Sequence, residues 1–202
     1  MEKIRGEITM KPNQLMKENI YTAANCATLI RVVIGGTCFY MAFASHSEVW
    51  NYAGLLTHWI LDVADGTLAR SLKQETILGA QFDILADRIL ITFFYLNYLI
   101  FHPANLPIVV LFLFEFALLD HYLSNQFLNW GIISPNYFYQ VDRLIWNLNW
   151  SAPGKFINSA LVTILLITTN AFVPVLIVVL LLIAIKAFSF ARLQHLVQAL
   201  PS

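Results

Sequence analysis

Charge is what this chain has least of. Only 12% of its 202 residues are Asp, Glu, Lys or Arg, where a soluble domain carries about 25%. Net charge is zero, which removes any bulk electrostatic case for nucleic acid as a partner. Cysteine is nearly absent, with Cys26 and Cys38 alone, both in one predicted helix. Their spacing along that helix holds them about 18 Å apart, beyond disulfide reach. They read as small packing residues and say nothing about redox compartment. The polar start of the chain, with Lys3, Arg5, Lys11 and Lys17, lacks the apolar stretch and cleavage site of a signal peptide.

What is present in excess is apolar sequence. Hydrophobic residues make up 58% of the chain, in runs such as Leu106–Leu119 and Ala171–Ile185. A transmembrane helix needs about 20 predominantly apolar residues, and six segments qualify: 20–45, 49–70, 79–102, 104–128, 155–171 and 173–198. The expected fold is all-α, a polytopic membrane protein with six spanning helices. Residues 1–19 form a polar N-terminal segment and residues 20–202 the membrane domain. Within Thr9–Asn19, Pro12 near the start and Leu15 and Met16 as apolar contacts suit a short interfacial helix, though a solvated tail fits as well.

The basic residues orient the chain, because cytoplasmic loops are enriched in Lys and Arg. Besides the N-terminal four, Arg70 and Lys73 lie between spans two and three, Arg143 and Lys155 between four and five, and Arg192 near the end of six. The connections on the other side, around His46–Glu48, Ala104 and Thr169–Pro174, carry none. Both termini are therefore expected in the cytoplasm. The long connection 129–154 interleaves Trp130, Tyr137, Phe138, Tyr139, Trp146 and Trp150 with polar residues. Such aromatics favour the headgroup level, so the stretch reads as a surface anchor, or as a partial lid.

Four aspartates in apolar helices demand an explanation, since one Asp at the bilayer centre costs about 2.5–3.5 kcal/mol on insertion scales. The second span ends in Asp62-Val-Ala-Asp65-Gly66-Thr-Leu-Ala69-Arg70, and the third opens with Gly79-Ala-Gln-Phe-Asp83-Ile-Leu-Ala-Asp87. Asp62, Asp65, Gly66 and Ala69 fall at i, i+3, i+4 and i+7, on one helix face. Gly79, Asp83 and Asp87 fall at i, i+4 and i+8, again on one face. A short turn joins the helices, so these faces can meet. Converging carboxylates need cations or protons to coexist, and an all-oxygen donor set suits Mg²⁺, Mn²⁺ or Ca²⁺ rather than zinc. Gly66, Ala69 and Gly79 leave room for a bulky polar ligand, and Arg70 can hold a phosphate oxygen or a base edge. The plainer reading, Asp residues paired with Arg31 and Arg88 to fix helix packing, accounts for one or two of the four.

The pattern D-x-x-D-G-x-x-A-R-x8-G-x-x-x-D-x-x-x-D, complete over Asp62–Asp87, resembles the signature of the CDP-alcohol phosphotransferase family. A six-helix body of this length after a short interfacial helix is also similar to that family. The resemblance implies Asp62, Asp65, Asp83 and Asp87 as metal ligands, for two Mg²⁺ or Mn²⁺ ions, and Asp87 as the catalytic base. It implies Asp65, Gly66, Ala69, Arg70 and Gly79 around the CDP moiety. On the first span Asn25, Thr28 and Arg31 match a family triplet, which adds Thr28 to the CDP site. Arg31 then belongs either with the acceptor or with an aspartate. The reaction implied is attack by an acceptor oxygen on the donor's β-phosphate, with CMP leaving. Family members are often dimers, so a homodimer is implied too.

The family mostly joins CDP-diacylglycerol to a small polar alcohol, and the chain length fits that group better than the longer enzymes that use CDP-choline or CDP-ethanolamine. A phosphorylated acceptor needs extra cations. Arg143, Lys155, Lys186 and Arg192 are available, with Lys155, after Pro153-Gly154, chosen first and Arg192 second. Gln74-Glu75-Thr76 echoes the matching loop of phosphatidylglycerophosphate synthases, which makes glycerol 3-phosphate the first acceptor; inositol phosphate, inositol and serine are the alternatives. That subfamily commonly has Pro after the third aspartate and Lys after the fourth, where this chain has Ile84 and Arg88. In the fourth span Glu115 is expected buried in protein, while Asp120, His121 and Ser124 either line the acceptor pocket or pair with neighbouring helices. The rival of a different class is a transporter whose aspartates bind ions. It leaves Arg70 and the small residues without a duty, and no inverted repeat is visible. A relative that binds donor without turnover is the other rival.

Overall fold

The structure, a computed structural model, describes residues 18–169 and 171–198. All but the last two positions of the expected interfacial helix at Thr9–Asn19 lie outside these residues. Among the described residues every regular element is helical and no strand occurs. The helices are α1 Ala23–Ser45, α2 Glu48–Ser71, α3 Ile77–Phe101, α4 Pro103–Trp130, α5 Arg143–Asn149, α6 Ala152–Thr169 and α7 Phe172–Gln198. Five of them, α1, α3, α4, α6 and α7, are long and apolar enough to cross a bilayer. The sixth expected span, α2, has the length at 24 residues, but Asn51, His58, Asp62 and Asp65 dilute its apolar character. The chain is an all-α membrane protein, and its outward residues fit that solvent: Val33, Tyr40 and Phe43 on α1 are each 60–67% exposed.

The helices divide into two compact units. The first holds α1, α2 and α3 together with Leu128–Ser134; the second holds Asn105–Phe127 and the chain from Pro135 on. In the first unit the turns follow from local chemistry. The α1–α2 turn closes through His46 in the left-handed region at φ 49°. The α2–α3 turn closes through Lys73 at φ 53°, with Gln74 N–H donating back to Ala69 O at 2.9 Å. Being this short, the second turn makes α2 and α3 antiparallel neighbours.

Packing between the three helices combines close approach with polar ties. Gly54 of α2 sits so near Phe39 of α1 that an added Cβ would lie 2.6 Å from the ring. Phe39, Phe94, Tyr95 and Tyr98 form a buried aromatic cluster with centroids 5.1–6.5 Å apart. Asn51 of α2 donates to Phe94 O of α3 at 3.1 Å, and Asn97 of α3 donates to Phe39 O of α1 at 2.9 Å. In lipid, where no hydrophobic force pulls helices together, small residues and side-chain amides of this kind hold the bundle.

The second unit contains two π-helical turns, Glu115–Asp120 in α4 and Phe156–Leu161 in α6. The extra residue of a π turn re-aims side chains, and in α4 it leaves both Glu115 and Asp120 buried. The long connection 129–154 contains regular elements: a 3-10 turn, Pro135–Gln140, and then α5, capped by the Asp142 side chain on Ile145 N–H at 2.9 Å. Phe138 is fully buried and lies 4.5 Å from the buried Trp150, so these two rings are core. Tyr139 is 48% exposed. Cys26 and Cys38 are both free.

Candidate active site

The four aspartates of α2 and α3 meet around one cation. Arg31, fully buried on α1, pairs with Asp62, with Asp83 at 2.7 Å, with Asp87 at 3.2 Å and with Asp65 at 3.5 Å. Helix periodicity is the cause: the carboxylates occupy one face of each helix, and α1 packs against both. Arg31 therefore takes the second of its two expected roles, as the partner of an aspartate, and for all four at once. Its planar fork allows this where a lysine's point charge would not.

The arrangement has a closed floor and an open top. Arg31 and Asp65 are buried, whereas the side chains of Asp62 and Asp83 are 40% and 42% exposed. Asp65 is held from beneath by Thr28, whose hydroxyl donates to its carboxylate at 3.0 Å. Thr28, expected at the CDP moiety, is itself buried and acts here on Asp65. Asp87 lies between the extremes, 28% exposed, and its buried Oδ1 accepts no well-directed hydrogen bond.

These donors fit a divalent metal. Asp62, Asp83 and Asp87 each offer an oxygen, and the three lie within 4.8 Å of one another. Oxygens sharing one Mg²⁺ or Ca²⁺ sit about 2.0–2.6 Å from it, so this separation is compatible with a common ion. Arg31 offsets one of the four carboxylate charges, and a divalent cation at the open side would offset two more.

The small residues of the motif flank the same opening. Arg70, exposed at the end of α2, folds back over Gly66, and a Cβ there would lie 3.4 Å from its nearest guanidinium nitrogen. Gly79, in the first turn of α3, faces Asn25 of α1: a Cβ would fall 2.8 Å from Asn25 Oδ1 and from Thr76 Oγ1. Ala69 is half-buried on the face it shares with Asp62 and Asp65.

The remaining candidates belong to the second unit. Lys155 and Arg143 are exposed, near the starts of α6 and α5. Arg192, 43% exposed on α7, binds Asp142 at 2.8 Å. Lys186, counted among the cations available to an acceptor, is spoken for. It is buried, with its ammonium 2.5 Å from Asp120, 2.8 Å from Asn149 Oδ1 and 3.8 Å from Glu115. Asp120 and Ser124 thus take the helix-pairing alternative: Ser124 donates to Asp120 and accepts from Trp150 Nε1, both at 3.4 Å. Glu115 is fully buried, as its position in a span requires.

Comparison with known proteins gives concordant findings. A family model described as CDP-alcohol phosphatidyltransferase matches residues 21–184. Proteins of Mycobacterium bovis and Mycobacterium tuberculosis, each named "Putative cardiolipin synthase", are 32% identical over 75 residues. The match spans 37% of this chain and 36% of each relative. No solved structure matches.

Proposed function

The chain belongs to the CDP-alcohol phosphatidyltransferase family, and from that premise we propose that it transfers a phosphatidyl group from CDP-diacylglycerol to a hydroxyl acceptor, with release of CMP. The observation that carries this reading is the convergence of Asp62, Asp65, Asp83 and Asp87 on Arg31, with two of the carboxylates open to a ligand.

In this account Asp87 accepts the proton of the acceptor hydroxyl. The acceptor oxygen forms a bond to the donor's β-phosphorus, the bond from that phosphorus to the bridging oxygen breaks, and CMP departs with the electron pair. Asp62, Asp83 and Asp87, with Asp65, would hold divalent metal, which when bound would supply neutralisation of the pyrophosphate and of the leaving oxygen. Arg31 keeps the carboxylates converged, Thr28 orients Asp65, and Arg70 is free to swing from Gly66 onto a phosphate or the cytosine edge. Lys155 first and Arg192 second, then Arg143, are the candidate cations for a phosphorylated acceptor. Glycerol 3-phosphate is the first acceptor by the Gln74-Glu75-Thr76 loop. The relatives' name adds a lipid-borne hydroxyl to those worth testing. The Lys and Arg distribution supports a cytoplasmic side for both termini and the site. A homodimer accords with the family.

The test is CMP release by detergent-purified protein given CDP-diacylglycerol, Mg²⁺ or Mn²⁺, and an acceptor panel. The panel holds glycerol 3-phosphate, inositol phosphate, inositol, serine and phosphatidylglycerol. Metal-dependent release with one acceptor is expected. Failure with all of them, together with no stabilisation by CDP, would bring the ion-binding transporter forward.

A further inference from the structure

The ends of α1 and α3 nearest the aspartates are tied by two side chains that the family motif does not contain. Glu18, just before α1, caps α3: its Oε1 accepts from Ile77 N–H at 3.2 Å and its Oε2 from Leu78 N–H at 3.0 Å. Gln74, just before α3, caps α1 in return, its Oε1 accepting from Ala23 N–H at 3.0 Å. The helices' own N-caps complete the set, Thr76 on Gly79 N–H at 2.9 Å and Thr22 on Asn25 N–H at 3.0 Å. The first three amide groups of α3, which an isolated helix leaves without partners, are thus all satisfied, two of them by a residue from another element.

The two N–H groups held by Glu18 immediately precede Gly79. That glycine lies against Asn25, where a Cβ would come within 2.8 Å of Oδ1, and Asn25 is fixed in turn by donating to Ile20 O at 2.9 Å. One turn further along, α1 carries Thr28 and α3 carries Asp83. Sliding α1 against α3 at this end would therefore change the close contact between Gly79 and Asn25.

We propose that Glu18 and Gln74 are positioning residues for the nucleotide half of the donor. Their crossed caps hold the first turns of α1 and α3 in the register that sets Gly79 against Asn25, on the helix face proposed for the CDP moiety. The inference rests on the CDP-linked donor proposed above. It makes Glu18 a residue that shapes the donor site, although no atom of Glu18 need touch the ligand.

The experiment is binding of CDP itself, by calorimetry, to the full-length protein in detergent with Mn²⁺ present. Glu18→Ala, Glu18→Gln and Gln74→Ala are compared with the parent, and KM is measured separately for donor and acceptor. A lost charged cap shifts such an equilibrium by about tenfold. Glu18→Ala is therefore expected to weaken CDP about tenfold and to raise donor KM in proportion, with acceptor KM within about twofold. Glu18→Gln, which keeps one acceptor oxygen, should fall in between, and Gln74→Ala should repeat the pattern should Glu18→Ala prove unstable. Parental CDP affinity in Glu18→Ala and Gln74→Ala, with only a lowered melting temperature, would reduce the caps to stability elements and overturn the proposal. A parent protein that binds no CDP would overturn the donor reading as well.

Discussion

Replacing Lys186 with methionine isolates a buried electrostatic tie outside the aspartate cluster. The ammonium is buried, 2.5 Å from Asp120 and 3.8 Å from Glu115, and it also donates to Asn149 at 2.8 Å. Methionine fills a similar volume without strain, so the loss is electrostatic rather than a cavity. Removing one partner from a buried ion pair costs about 3–5 kcal/mol, because the remaining charge is stranded. Here two carboxylates lose their cation, which puts Lys186→Met at the upper end of that range. Pairing it with Asp120→Leu removes the nearer carboxylate and should recover part of the loss, giving a coupling of about 0.5–3 kcal/mol in a double-mutant cycle. The assay is equilibrium unfolding in mixed micelles, followed by tryptophan fluorescence; Trp150, buried in the same unit and hydrogen-bonded to Ser124, is a local reporter. A single variant within about 1 kcal/mol of the parent, or losses that simply add in the double variant, would refute the view that this network holds the unit together.

Two further perturbations separate packing from chemistry. Gly54→Ala forces a methyl to within 2.6 Å of the Phe39 ring, and overpacking of this kind costs about 1–3 kcal/mol. Gly36→Ala meets nothing within 4 Å and should hold or slightly raise the melting temperature, since alanine favours a helix interior over glycine; equal effects of the two would contradict the close approach of α1 and α2. Arg192→Ala removes a bridge whose arginine is 43% exposed, worth less than about 1 kcal/mol. If Arg192 serves the acceptor, this variant raises acceptor KM with little change in unfolding.

The helices were legible because apolar length is a strong signal: the segment expected at 79–102 is α3 at Ile77–Phe101. The convergence of the aspartates was legible too, since spacing fixes a helix face. Periodicity does not say which residue of a third helix faces that point, so Arg31's fourfold pairing stayed open until α1 was seen packed on α2 and α3. For the same reason Lys186 read as one more cytoplasmic cation. The π turns escaped because a single inserted residue leaves composition unchanged. Phe138 and Trp150 read as headgroup aromatics, since a ring preferring the interface and a ring filling a core look alike in sequence. Glu18 carried no signal at all; a lone acid in a polar segment reveals its helix only in three dimensions.

The most direct test of the central claim compares the parent with Asp87→Asn for both CDP binding and metal-dependent CMP release from CDP-diacylglycerol. Loss of a general base costs about 10²–10⁴ in rate, so release should fall by that factor while CDP binding persists. Release at the parental rate from Asp87→Asn would contradict the account.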